Sequence, residues 1–233
     1  MRRPIARPAV AVVAVLGLGA GLAACGSAAE PSPPSGVDEL EVPTEAPDAA
    51  DFTGGPVESP WLALDLAASY RTVDGTSVER TVAPGPEVAG VTTTAVSLDG
   101  TTDLLAEDDE GNVWWLGRES EDADGTGSAT WLTGEDDVRA GLLVTRTPRV
   151  GDGYLAADLP GDDDPRVTVA GVDETVTLDV DGTATEYDDV VVLELTDLYG
   201  PAGSMVNALY SRDVGLVLLE SAGGVAALTR TPG

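Results

Sequence analysis

One thiol and no imidazole limit the chemistry open to this chain: Cys25 is the only cysteine among 233 residues, and histidine is absent. Every Ser-His-Asp or Cys-His arrangement and every His-ligated zinc site is thereby ruled out. Neither a G-x-S-x-G turn nor a phosphate-binding glycine loop occurs. Oxygen acids remain, and there are 41 Asp and Glu. Two carboxylates flanking a glycosidic bond can act as acid and base. In so acidic a chain such pairs arise by chance, so no catalytic residue is assigned and the protein is not expected to be an enzyme. A carboxylate-based hydrolase is the remotest of the readings. Three acid clusters, Glu107-Asp108-Asp109-Glu110, Glu119 to Asp124 and Asp162-Asp163-Asp164, offer oxygen ligands of the kind calcium takes. None follows the D-x-[DN]-x-[DN]-G spacing, so they read as solvated turns, and neither metal nor cofactor is expected.

Four indoles, Trp61, Trp114, Trp115 and Trp131, stand out beside one Phe and five Tyr. An indole joins a large apolar face to a single N–H. Adjacent strand residues point to opposite faces, so one of Trp114 and Trp115 should pack in a core while the other lines a groove or carrier cavity. Trp114, Trp115 and Trp131 are accordingly the candidate ligand-binding residues.

Cys25 belongs to different chemistry. Arg2, Arg3 and Arg7 precede an uninterrupted run of Ala, Val, Leu and Gly from Ala9 to Ala20. That run suits the apolar region of a signal peptide and is short of the roughly 20 residues a spanning helix needs. Leu22-Ala23-Ala24-Cys25-Gly26 then resembles the bacterial lipobox, in which the chain is cut before the cysteine and the thiol is acylated. A lone cysteine in an oxidising compartment has no disulfide partner, which agrees with that fate. Residues 1–24 are thus expected to be a lipoprotein signal peptide, with Cys25 the lipid anchor on the outer face of the cell membrane.

Cleavage there would leave nine arginines against all 41 acids, a net charge of −32. Such a surface repels nucleic acid phosphates, so nucleic acid is excluded as a partner. All twelve basic residues are Arg, in keeping with a high-GC genome. From Cys25 to Ser59 the chain is rich in Pro, Ala, Gly and acids, with Phe52 its one aromatic residue. This composition buries too little to offset its ordering entropy and reads as an extended tether. Some thirty residues could reach about 90 Å at the polyproline II rise. Residues 60–233 are the size of a single domain.

Within that domain, runs rich in Val, Thr, Leu and Tyr alternate with Asp74-Gly75, Asp99-Gly100, Glu110-Gly111, Asp124-Gly125 and Asp181-Gly182. Such pairs between β-forming runs mark hairpins. Thirteen strands are expected, beginning with Leu62 to Thr72 and Ser77 to Val82 and including Val88 to Leu98 and Val113 to Gly117. The fold class is all-β: an antiparallel sandwich, half-barrel or barrel built from hairpins.

Several stretches resemble a family of exported bacterial β-rich proteins. They are Ser59-Pro60-Trp61-Leu62, the run from Asp109 through Gly111-Asn112-Val113-Trp114-Trp115 to Gly117, Trp131, Pro148 to Tyr154, and Tyr210 to Val217. The resemblance covers about residues 59–220 and implies a β-rich fold and an envelope location, with no particular reaction. Three classes of function follow. A binding module would hold an apolar ligand or an envelope protein at the membrane surface, an assembly component would serve the envelope structurally, and an enzyme comes last. The oligomeric state is not legible in the sequence.

Overall fold

A computed structural model describes residues 45–120, 130–160, 164–180, 182–196, 204–221 and 226–231. Cys25, the signal peptide, the first part of the tether and the turns at Asp124-Gly125 and Asp181 lie outside them, as do most of the second and third acid clusters.

Val, Leu, Thr and Tyr in short runs give strands because branched and aromatic side chains fit a pleated surface. Fourteen strands occur among the described residues. In the N-terminal half they are β1 (Ala68–Thr72), β2 (Ser77–Val88), β3 (Val91–Leu98), β4 (Thr101–Glu107), β5 (Val113–Ser120), β6 (Trp131–Leu132) and β7 (Arg139–Val144). The rest are β8 (Gly153–Leu155), β9 (Ala157–Asp158), β10 (Arg166–Val180), β11 (Thr183–Thr196), β12 (Met205–Ser211), β13 (Gly215–Ser221) and β14 (Ala226–Arg230). Antiparallel pairing orders them β8-β10-β11-β12-β13-β14-β1-β2-β3-β4-β5-β7-β9, with β6 beside β5 off that path. The sheet curls into a nearly closed barrel, one of the three forms expected.

Its two ends meet through one stretch of chain. Residues 153–155 pair with β10 and residues 157–158 with β7, and at the crossover the Ala156 N–H donates to Pro165 O at 2.8 Å. Gly141 makes the join possible: a Cβ there would stand 2.3 Å from the Ala156 carbonyl carbon.

The expected strand Val88 to Leu98 is two strands. Ala89 and Gly90 form a tight turn with φ of 50° and 82°, as Asp99 and Gly100 do at 49° and 76°, and a type I′ hairpin needs both signs positive. Alanine carries no sequence signal for that conformation. Leu62 to Asp65 is not strand either: its backbone turns, with the Leu62 and Ala63 N–H groups both bonded to Ser59 O at 3.1 Å.

The boundary between tether and domain also moves. Residues 45–59 pack on the barrel instead of continuing a tether. Phe52 bridges to Asp108, Thr53 N–H donates to Glu107 O at 3.0 Å, and Asp109 N–H donates to Asp51 O at 2.9 Å. Phe52 and Val57 are buried in the main core. Two apolar side chains and a short backbone ladder suffice to dock a segment whose average composition reads as unfolded.

Val113 to Arg118 are buried without a break, with this strap near Trp114 and Leu132 against Gly117. One face of β5 looks into the barrel and the other lies beneath covering chain, and strands covered on both faces read as continuous apolar runs. A second cluster, Tyr187, Val190, Val217 and Leu218, lies apart from the main core where the long β10–β11 hairpin contributes Val176 and Leu178. Among the described residues no helix is long and apolar enough to cross a membrane.

Candidate functional site

Strand alternation does send Trp114 and Trp115 to opposite faces, and both are buried. Trp114 donates its indole N–H to Asp108 Oδ2 at 2.8 Å. The same carboxylate accepts the Glu110 and Asn112 amides at 3.0 and 2.8 Å and the Asn112 side chain at 3.0 Å. Asp108 therefore ties the β4–β5 turn to the strand beyond it, and this first acid cluster holds a turn together. Among the described residues no group of acids is arranged to hold a metal ion.

Trp115 pairs across the sheet with Leu105. Its ring centroid lies 4.7 Å from that of Trp131, edge to face, and the Arg118 guanidinium sits 4.4 Å over it. Asp103 completes the stack by accepting from Trp115 Nε1 at 3.1 Å, Arg118 Nε at 2.6 Å and Arg118 Nη2 at 2.9 Å. The fork matches both carboxylate oxygens, the strongest form of ion pair.

The three tryptophans proposed from sequence thus do not form one site. Trp115 and Trp131 meet, Trp114 does not join them, and none lines the aliphatic cavity beside Tyr70, whereas Trp114 lines two other pockets beside Glu45. The Trp114 and Trp115 N–H groups are taken by Asp108 and Asp103, and the Trp115 ring by Trp131 and Arg118, which is how a large amphipathic side chain settles in an interior.

A partly open cavity of about 200 Å³ is lined by side chains from β1 to β4, β7 and β12 to β14. Its wall is mostly aliphatic: Val96 and Leu98 from β3, Leu105 from β4, Leu143 from β7, Leu216 and Leu219 from β13, and Leu228 from β14. Tyr70, Tyr210, Arg80 and Asp103 add polar atoms. Cross-strand pairing of Tyr70 with Val78 and of Ala68 with Arg80 brings β1 and β2 side chains to this face.

A plug formed by residues 59–66 closes one end and contributes Leu62 and Leu64 to the wall. Turns of chain leave carbonyls without partners, and Arg80 collects three of them: Nη1 donates to Leu62 O at 2.9 Å, and Nη2 to Ala63 O at 2.8 Å and Leu66 O at 2.6 Å. Trp61 secures the plug further, donating to Arg146 O at 3.2 Å beneath the Arg212 guanidinium, 4.2 Å from its ring. Asp213 N–H donates to Pro60 O at 2.7 Å.

Burial shifts the polar groups of the cavity. It raises the Tyr70 phenol above its ordinary value, an effect that Arg80 and Arg230 partly offset. Tyr70 therefore stays a neutral donor, bonded to Leu216 O at 3.1 Å. Burial lowers Arg80 from the usual guanidinium value, while Tyr70, Tyr210 and Asp65 favour its charge. On this wall the Tyr70 phenol bonds Leu216 O, the Arg80 guanidinium bonds plug carbonyls and the Asp103 carboxylate pairs with Arg118, while Asp99 and Thr101 also reach the cavity.

Sequence reasoning missed the plug and Arg80. A faint signal was present: alternation along β2 places Val78, Arg80 and Val82 on one face, so a single cation interrupts an apolar stripe. Compared with known proteins, the chain matches no family model, no curated protein and no solved structure. What fold and site define is a class only: an antiparallel, nearly closed β-barrel with a small apolar cavity and a plugged end.

Proposed function

We propose that this chain is an exported lipoprotein, anchored through acylated Cys25 to the outer face of the cell membrane, whose barrel binds a small apolar ligand without catalysis. The observation that carries the binding half is the aliphatic cavity of about 200 Å³. A dry cavity of ~150 Å³ takes a molecule the size of benzene, so this one suits a ring or a short alkyl chain. Support for the anchoring half comes from the signal-like run before Cys25 and from the Pro-rich chain between it and the strap.

Two experiments test the halves separately. Cys25→Ser should move the protein from the detergent phase to the aqueous phase on partitioning of intact cells, because burial of acyl chains at ~0.8 kcal/mol per CH₂ supplies the attachment. Unchanged partitioning would remove the lipid anchor. For the cavity, the full chain carrying Cys25→Ser and prepared without detergent should show a rise in Tm on titration with benzene, growing with the logarithm of ligand concentration above Kd. Leu98→Trp, which fills the cavity from a half-buried position on β3, should abolish that rise while the fold persists. A Tm indifferent to benzene in the parent protein would overturn the binding reading.

A further inference from the structure

A second, more open space of about 500 Å³ adjoins the cavity at the plugged end. Leu64 lines both, so one side chain of the plug separates an inner apolar chamber from an outer vestibule. The vestibule differs in chemistry. Its wall includes Glu58, Asp65 and Asp213 and the hydroxyls of Ser59 and Thr94.

Ser59 is the telling residue. It is 2% exposed, lines the vestibule, and its Oγ has no hydrogen-bond partner. A buried hydroxyl left unpaired is costly and uncommon in folded proteins. The neighbouring Thr94 Oγ1 is already engaged, accepting the Val57 N–H at 3.1 Å. A polar atom of a ligand placed at Ser59 would satisfy the open hydroxyl on this wall.

Charge then selects the ligand. The nearest cation, Arg80, gives both terminal nitrogens to the plug carbonyls of Leu62, Ala63 and Leu66. Arg212 lies over the Trp61 ring. Three carboxylates stand on the vestibule wall instead. Neither arginine lines the vestibule, so a carboxylate or phosphate there would meet like charge from Glu58, Asp65 and Asp213.

We infer that the ligand is an amphiphile with an uncharged or cationic polar end: its apolar body occupies the barrel cavity beyond Leu64 and its polar end bonds Ser59 in the vestibule. This rests on the ligand-binding reading above and names the ligand class and the residue that recognises it. The cavity holds the body but is smaller than the ~300–1,000 Å³ usual for whole ligands, and the vestibule supplies the missing space. Ala63, at a φ of 43°, bends the plug between Leu62 on the inner wall and Leu64 on the shared one.

The test compares four probes by titration calorimetry on the detergent-free full chain carrying Cys25→Ser, at ~0.15 M salt so that charges beyond ~8 Å are screened. The probes are benzene, 1-octanol, octylammonium and octanoate. Octanol and octylammonium should bind at least about tenfold more tightly than octanoate. Adding Ser59→Ala should weaken octanol about five- to tenfold, the net worth of one hydrogen bond, and leave benzene unchanged. That variant breaks no side-chain hydrogen bond of the protein, so unaltered benzene binding also certifies its fold. Octanoate binding as tightly as octanol, or octanol indifferent to Ser59→Ala, would overturn the inference while benzene binding preserved the cavity reading. Failure of benzene as well would overturn both.

Discussion

Asp103→Ala should destabilise the barrel by about 3–5 kcal/mol, because it strips a buried guanidinium of its bidentate carboxylate. The Arg118 side chain is 1% exposed and that of Asp103 22%. Water can reach one partner and scarcely the other. Loss of the carboxylate also removes the acceptor of the Trp115 indole N–H, 3.1 Å away, and loosens the guanidinium over its ring. The double replacement Asp103→Leu with Arg118→Met should cost far less than the single one, since it removes the buried guanidinium together with its carboxylate. Urea denaturation measures both, with equal slopes required for the comparison. Equal losses from the single and double variants would mean that the cost lies in packing and that the ion pair is incidental.

The second large effect should come from Gly141→Ala. Its Cβ would lie 2.3 Å from the Ala156 carbonyl carbon and 2.5 Å from both the Ala156 oxygen and the Ala157 nitrogen. Backbone cannot rotate away as a flexible side chain can, so β9 must leave β7. Overpacking typically costs 1–3 kcal/mol, and here the β7–β9 ladder and the Ala156 to Pro165 hydrogen bond go with it. A total loss of about 3 kcal/mol or more is expected, together with faster hydrogen exchange of the Ala156 amide. Gly153→Ala on the adjoining β8 serves as control. Its nearest contacts would be at 3.9 Å, an ordinary separation, so the loss should stay within ~1 kcal/mol. Matching losses at the two glycines would show that the seam does not depend on close approach at Gly141.

The hairpin marks read well where chemistry and conformation coincide. Asp99-Gly100 announces a tight turn because both residues tolerate positive φ, and the strands on either side lie where alternation put them. Ala89-Gly90 makes the same turn without the announcement, so two strands read as one. The β10–β11 hairpin shows the opposite failure. Gly171 and Asp173 divide the residues of β10 into two β-forming segments, Val167 to Ala170 and Thr175 to Val180, which by sequence are two strands. The partner strand carries both segments as one ladder with register shifts between Val169 and Val176. Bulges absorb the interruption, and nothing local distinguishes a bulge from a turn.

The site was less legible than the fold. Trp114 and Trp115 attracted a binding role because exposed indoles often serve one. Whether an indole is exposed depends on what lies above it, and Trp114 shares a pocket wall with Glu45, Pro47 and Asp51, chain whose composition suggests no packing. Arg80 likewise takes its meaning from carbonyls 14 to 18 residues away that turn inward only once the plug is seated.

By itself, the sequence determined the all-β class, the antiparallel pairing through local hairpins, the absence of imidazole and thiol chemistry within the domain, and an acidic surface. These depend on composition and on contacts between near neighbours, where one residue's preferences suffice. Tertiary structure alone decided that the sheet closes through residues 153–158, that residues 45–66 belong to the barrel as strap and plug, and that the cavity is walled by leucine and valine instead of tryptophan. Each of those outcomes rests on surfaces brought together across long stretches of chain. The energy that selects them is burial shared between partners, and no single segment carries it.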